Sequence, residues 1–416
     1  MQTQILTALK QTPEGKVAED ILRRCVHCGF CNATCPTYQL LGDENEGPRG
    51  RIYLIKQLME GHLENTPDSG RKTLQHLDRC LLCRACETTC PSGVEYGKLL
   101  DIGRNLAEQH AGRERADNTL RKRLRTYLPN SSTFGLGLKL GRTFKPLLPQ
   151  TLANKITEPR PAGIWPKARH NRWVLVLDGC VQPALSPDIN AATARVLDKL
   201  GISLVAAPKA GCCGAVSQHL GAPDDALNYM RRNIDAWWPY LYRKEGAIEA
   251  IVTTASGCGV MVKEYAHHLR HDPEYGIKAE RIANLCKDIS EIIAKENYQQ
   301  LAPTRVTRVA WHPPCTLQHG QKIRGVVENI LTDCGYVLLP VADEHLCCGS
   351  AGTYSILQPE LAKQLRRNKL ANLTAHEPEM IVTANIGCQT HLQEGSSLPV
   401  MHWIHLLDRV GGIVPY

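Results

Sequence analysis

Cys25-Val-His-Cys28-Gly-Phe-Cys31-Asn-Ala-Thr-Cys35-Pro36 returns further along the chain as Cys80-Leu-Leu-Cys83-Arg-Ala-Cys86-Glu-Thr-Thr-Cys90-Pro91. Both phrases read C-x2-C-x2-C-x3-C-P, the spacing by which thiolates hold a [4Fe-4S] cube. The two-residue gaps curl three thiolates round three corners of one cube, and the proline stiffens a turn that carries the fourth cysteine away. That fourth cysteine is therefore expected to cross over. One cluster falls to Cys25, Cys28, Cys31 and Cys90, the other to Cys80, Cys83, Cys86 and Cys35. The exchange makes each half of the module depend on the other, and it sets two one-electron centres side by side. Eight thiols would also hold two zinc ions, but zinc leaves the third and fourth spacings and the Cys-Pro endings unexplained. A disulfide framework conflicts with 18 cysteines in a chain that lacks an export signal, a pattern of reducing compartments.

The 416 residues suffice for two or three domains with their own cores, and 43% hydrophobic content with mean hydropathy −0.26 reads as a soluble globular chain. The opening MQTQILTALKQTPEGK has no apolar stretch of signal-peptide length, and nowhere do 18 apolar residues run together. Aromatic residues are 5%, poor material for stacking platforms on single-stranded nucleic acid. The net charge of +8 is local: residues 112–172 hold 14 Lys/Arg against 3 Asp/Glu, so the rest of the chain is slightly acidic. Such a run is a solvated linker or a face that docks an acidic partner or an anionic membrane surface. No recognition motif accompanies the charge, so nucleic acid is not expected as a partner.

Taken in order, Lys16–Arg24 predicts a short helix that delivers Cys25. Arg51–Glu60 places Ile52, Ile55, Leu58 and Met59 on one helical face, and Leu99–Gln109 predicts the helix that closes this module near residue 111. Arg49 and Arg51 are candidates to ease the clusters' negative charge, although solvated surface arginines are commoner. From Trp173 the period changes. Strand-like runs at 173–177, 202–205 and 248–253 alternate with helical stretches at 190–200 and 225–238. The pattern then repeats, with strands at 309–311, 336–339 and 380–383 and helices at 326–332 and 360–370.

Cysteines mark the repeat. Cys180 follows a strand, Cys212-Cys213-Gly214 comes 32 positions later, and Cys258 closes the set; Cys315, Cys347-Cys348-Gly349 and Cys388 do the same in the second half. The first three are offset by 135 residues and the last by 130. A cysteine at the end of a strand in an open α/β layer points into the crevice where ligands bind, and a Cys-Cys-Gly turn sets two thiols beside a close-approaching backbone. The eight are candidate cofactor-binding residues for an additional iron-sulfur cluster, which need not be a cubane. A reactive thiol set and a shared pocket between the halves stay open, as does simple burial of small side chains. Cys286 and Cys334 fall outside the pattern and read as core. Among the histidines near these loops, namely His219, His312, His345 and His391, the better candidates are His312 and His345, within three residues of a repeat cysteine.

The fold class is therefore α/β overall. An N-terminal α-helical ferredoxin-type 2x[4Fe-4S] module (1–111) and a basic linker (112–172) precede two repeated α/β CCG cysteine-rich domains (173–304 and 305–416). With both cysteine sets in view, the chain resembles the family that joins a two-cluster ferredoxin module to paired CCG domains. That family includes the iron-sulfur subunits of glycolate oxidase, the third subunits of anaerobic glycerol-3-phosphate dehydrogenase, lactate-utilisation proteins and heterodisulfide reductase subunits. The phrases CVHCGFCNATCPTYQLLGDENEGPRGRIYLIKQ (25–57), RRNIDAWWPY (231–240), TASGCGVMVKEY (254–265), HLCCGSAGTY (345–354) and MIVTANIGCQTHL (380–392) are most similar to the glycolate oxidase type. One departure stands out. Heterodisulfide reductases close the CCG repeat with C-x2-C, whereas Ala255 and Asn385 occupy those positions here. Five thiols per half become four, which counts against carrying over a non-cubane cluster or disulfide reduction.

No G-x-G-x-x-G follows a strand, and Gly135-Leu-Gly137 lies in the linker, so no flavin or nicotinamide site is expected on this chain. The resemblance implies a division of labour. A partner flavoprotein with FAD would oxidise glycolate, or D-lactate, and this chain would relay single electrons towards a membrane quinone. It would act from the cytoplasmic side as a peripheral subunit, without catalytic residues of its own. The alternatives are a related lactate- or glycerol-3-phosphate-oxidising complex and a thiol-disulfide reductase built on the CCG cysteines.

Overall fold

The computed structural model describes residues 1–62, 67–147, 158–242, 248–303 and 305–408. Parts of the expected linker (148–157), the expected boundary at 304 and the last eight residues lie outside the described residues.

The N-terminal module is helical because its apolar residues recur at helical spacing between strong stops. Thr12 caps the helix Pro13–Arg24 by accepting from the Gly15 amide at 3.0 Å, and proline at the first position suits the helix start. Ala18, Ile21 and Leu22 face inward, and the helix ends where Cys25 turns extended. The helix Pro48–Met59 buries Ile52, Ile55, Leu58 and Met59 against Leu99 and Leu100 of the helix Tyr96–Ala111. Burying these side chains stabilises the module by about 1.5–3 kcal/mol each relative to exposure.

Arg51 departs from the expectation of a solvated side chain. It is fully buried and donates to Glu46 Oε2 at 2.8 Å, to Thr37 Oγ1 at 3.1 Å and to the His76 carbonyl at 2.8 Å. Glu46 is in turn held by His76 at 2.7 Å and Arg79 at 2.6 Å. A buried guanidinium persists only when its donors are satisfied in this way.

The basic stretch also differs from a plain linker. It carries the helices Arg115–Tyr127 and Ser131–Thr143. Arg113 and Arg121 reach back to Asp78 at 2.6 and 2.9 Å, so part of the positive run is spent on one carboxylate of the cluster module. Burial would push Asp78 up, but its hydrogen bond from Arg113 and the charges of Arg121, Arg113 and Arg104 hold it below the usual carboxylate range.

The remainder is two four-stranded parallel sheets of identical order. In the first, β1 (Arg172–Val176), β2 (Ile202–Ala206), β3 (Ile248–Thr253) and β4 (Cys286–Asp288) run β2-β1-β3-β4. In the second, β5 (Arg308–His312), β6 (Val337–Leu339), β7 (Met380–Thr383) and β8 (Val400–His402) run β6-β5-β7-β8. The crossovers include the helices Asp188–Lys199, Pro223–Trp237, Val326–Asp333 and Pro359–Thr374. The three-residue edge strands β4 and β8 escape a pattern reading because so short a run carries no period. Cys286 starts β4, and both it and Cys334 are core residues.

One apolar core joins the two sheets, containing Val174, Ile202 and Val252 from one and Val309, Trp311 and Val382 from the other. The halves also meet at their loops. The Ser256 amide donates to the Ala384 carbonyl at 3.1 Å, and His402 Nε2 lies 2.8 Å from the Thr254 carbonyl. This back-to-back arrangement turns the carboxyl ends of β1, β3, β5 and β7 towards common ground. In both sheets the strand order reverses between the central pair, where open α/β layers bind ligands.

Candidate functional site

In the two C-x2-C-x2-C loops the residues on either side of the middle cysteine are left-handed. His27 and Gly29 have φ of 61° and 87°, and Leu82 and Arg84 have 53° and 62°. Three of these four are not glycine, at a cost of about 1–2 kcal/mol each. Such turns aim successive backbone N–H groups into one concavity, which suits an anionic ligand and explains why the strain is kept.

Each concavity is lined by thiols. Cys25, Cys28, Cys31 and Cys90 face a hollow of about 440 Å³, and Cys35, Cys80, Cys83 and Cys86 face a second of about 360 Å³, in each case with its open mouth included. Cys35 and Cys90 thus sit with the triplet of the other phrase. Pro48, Cys86 and Tyr96 border both hollows, so the two are neighbours. The buried Tyr96 hydroxyl has no hydrogen-bond partner among the described residues, and neither has His27 Nδ1, which borders the first hollow. A sulfur-rich anion would satisfy both. Burial pushes the Cys31 thiol up to about 11 and drives Cys83 and Cys86 further above the ordinary thiol range. Uncoordinated, these thiols are neutral; coordination deprotonates them, so cluster loading releases protons. Arg51 borders the second hollow, where its buried charge opposes that of the thiolates.

The loop 80–84 that lines the second hollow also lines a larger cavity of about 1550 Å³, its mouth included. Cys80 and Cys83 line one wall. Cys180, Cys212, Cys213 and Cys258 line a second, and Cys315, Cys347 and Cys388 a third; Cys348 lies behind them. The loops that carry these thiols leave the carboxyl ends of β1, β2 and β3 and of β5, β6 and β7. Gly214 and Gly349 hold φ of 95° and 90°. Their amides lie 3.4 and 3.5 Å from Cys212 Sγ and Cys347 Sγ. A Cβ would meet the Ala226 carbonyl oxygen at 3.0 Å or that of Ala362 at 2.7 Å. Only glycine fits such a turn. Hydrogen bonding to the neighbouring thiol, burial and that neighbour's charge raise Cys180 beside Cys212 and Cys315 beside Cys347. The sulfurs of Cys315 and Cys347 are 3.8 Å apart.

The histidines separate cleanly. His219 borders the cavity with Nδ1 3.5 Å from the half-buried Asp101 carboxylate. His312 ends β5, is 1% exposed and lies beside Cys348 and Cys388. His345 offers its carbonyl to His319 Nε2 at 3.0 Å, and His391 Nε2 lies 3.2 Å from the Ala362 carbonyl. The His391 ring is thus held by backbone, whereas His345 contributes its carbonyl. His319, which no spacing singled out, ties the modules together through Thr88 at 2.8 Å. Arg84 and Glu264 form a second tie, Nη2 to Oε2 at 2.8 Å. Neither had a local signal, since each depends on a contact across more than 100 residues. Among the described residues no helix is long and apolar enough to cross a membrane.

The comparisons agree with this layout. Residues 21–94 match the 4Fe-4S dicluster domain, and residues 174–263 and 309–393 match the Cysteine-rich domain. The glycolate oxidase iron-sulfur subunit of Escherichia coli (strain K12) is 52% identical over 98% of this chain and 99% of its own length. The probable glycolate oxidase iron-sulfur subunit of Bacillus subtilis (strain 168) is 30% identical over 91% and 90%. Lactate utilization protein A of Oceanobacillus iheyensis is 26% identical over 55% of this chain and 96% of its own length. With such likeness along both chains, this chain belongs to the family of glycolate oxidase iron-sulfur subunits, and its role is that of an electron-transfer iron-sulfur protein.

Proposed function

We propose that this chain relays electrons from a partner flavoprotein, which carries FAD and oxidises glycolate to glyoxylate, to an acceptor reduced in the cysteine-lined cavity. The observation that carries this reading is the cavity itself, bounded by Cys80 and Cys83 on one side and by thiols of both CCG halves on the others. In this reading Cys25, Cys28, Cys31 and Cys90 hold one cluster and Cys35, Cys80, Cys83 and Cys86 the other. Bound there, [4Fe-4S] clusters accept and release electrons singly, which bridges a two-electron flavin and the next acceptor. Tyr96 sits between the two sites and offers its hydroxyl; Arg51 offsets negative charge at the second. The eight CCG cysteines, Cys180, Cys212, Cys213, Cys258, Cys315, Cys347, Cys348 and Cys388, are the terminal cofactor-binding set.

The acceptor is a membrane quinone. Its reduction consumes two electrons and two protons, and His219 at the cavity wall, with Nδ1 3.5 Å from the Asp101 carboxylate, stands between the cavity and solvent as the route by which those protons enter. Access to the membrane follows from the helix Ser131–Thr143, which exposes Leu136 and Leu140, with exposed Phe144 and Leu147 beyond it, beside Lys139, Arg142 and Lys145. An apolar stripe flanked by cations suits an anionic bilayer surface and a peripheral position on its inner face. The flavoprotein selects the hydroxy acid, so D-lactate is a second substrate of the complex, and this chain alone does not turn over either.

The test is the complex carrying Cys83→Ser. Glycolate then still reduces the flavin while quinone reduction is lost. Loss of both steps, or retention of both, contradicts the relay.

A further inference from the structure

The two CCG halves are not chemically equal. At the register that superposes Cys180 on Cys315, the first half has Leu177 where the second has His312. His312 ends β5 at the crevice, and neither of its ring nitrogens has a hydrogen-bond partner among the described residues. Two orphaned nitrogens on one buried ring are a cost that folding does not keep without return. The ring is not isolated from donors of another kind. One ring nitrogen, Cys348 Sγ and Cys388 Sγ all lie within 4.8 Å of one another, and all three residues are buried. They arrive on three separate segments: the end of β5, the Cys-Cys-Gly turn after β6 and the helix Ile386–Gln393 after β7.

We propose that His312, Cys348 and Cys388 form a mononuclear metal site for a divalent ion of zinc type, distinct from the two [4Fe-4S] sites. One imidazole and two thiolates on separate segments make a nitrogen-sulfur set that suits tetrahedral zinc, and three protein ligands leave a fourth position. Cys388 also borders the cavity, so that position is reachable from the side where the acceptor would bind. Two thiol protons pass to solvent on binding, and two thiolates with a neutral imidazole balance the charge of the ion. The surroundings support the ligands: Asn385 Nδ2 donates to Cys388 Sγ at 3.5 Å, and the buried Lys369 ammonium, held by the Asp343 carbonyl at 2.6 Å, lies in electrostatic reach of Cys348. Cys347 adjoins this group through its hydrogen bond with Cys348 and pairs on its other side with Cys315, beside Cys83; neither Cys315 nor Cys347 belongs to the set that converges with the ring. The first half, with Leu177, has thiols alone.

The decisive experiment measures zinc and iron in the full-length chain purified anaerobically. The wild type should contain one equivalent of zinc in addition to the iron of two cubes. His312→Leu, which installs the side chain that the first half carries, should lose the zinc and keep the iron and the far-ultraviolet circular dichroism. Cys213→Ser, the first-half counterpart of Cys348, should keep the zinc. If His312→Leu fails to fold, cobalt(II) titration of chelator-treated wild type decides, with tetrahedral ligand-field bands and thiolate charge transfer expected. Absence of zinc together with absence of those bands overturns the proposal. So does zinc that survives in folded His312→Leu, or extra iron that disappears in that variant, which would mark a polynuclear cluster instead.

Discussion

The two CCG halves share a sheet order and a cysteine register, yet they meet the cluster module by different chemistry. The first half meets it through polar pairs, Arg84 with Glu264 and Asp101 with His219, and Arg125 of the basic stretch adds a hydrogen bond to the Leu220 carbonyl at 3.4 Å. The second half meets it mainly through sulfur and apolar surface. Cys83, Leu81 and Ala85 pack with Cys315, Cys347 and Tyr354 in one buried group. Thiols of the second half are therefore the direct neighbours of the outer cluster site, while the first half is the better electrostatic clamp. On the proposed relay, the second half would then conduct and the first would dock.

Substituting equivalent cysteines breaks or sharpens that contrast most strongly. Cys315→Ser should remove most electron delivery to the acceptor, whereas Cys180→Ser should leave a substantial fraction; stopped-flow reduction of the acceptor in the assembled complex reads the difference. Equal losses would mean that both halves conduct alike. Next in size are the two turn glycines. Gly349→Ala should cost about 2–3 kcal/mol of stability and Gly214→Ala about 1–2, because the left-handed strain is common but the new methyl meets a carbonyl at 2.7 rather than 3.0 Å. Thermal unfolding of the two variants checks the order. Smaller again is Glu264→Gln, which leaves Arg84 with a weaker acceptor in a partly buried pair and should cost about 1–2 kcal/mol. It should loosen the cluster module from the first half, seen as faster hydrogen exchange around residues 256–264, with iron content unchanged.

Much of this contrast was out of reach of the sequence. The two cysteine phrases and the 135-residue register were legible because metal ligation imposes spacing, and the strand and helix runs because burial imposes period. His312 was legible as a candidate from its place beside Cys315, but its difference from Leu177 gained meaning only when the ring proved to have sulfur neighbours and no hydrogen-bond partner. Arg51 read as solvated because its partners Glu46, His76 and Arg79 declare themselves only in three dimensions. The helices at 115–127 and 131–143 were hidden by the charge run, which looks the same on a helix and in a coil. Which half faces Cys83 is a matter of packing across more than 200 residues, and no local pattern encodes it.

The relay requires two adjacent cubes in the N-terminal module. Iron and sulfide analysis of anaerobically purified protein, with electron paramagnetic resonance after reduction, tests that most directly. The account predicts about eight iron and eight sulfide in two cubes, with the split spectrum of two spins close enough to interact, since their sites share the walls formed by Cys86 and Tyr96. Colourless, iron-poor protein, or two magnetically isolated signals, would contradict it.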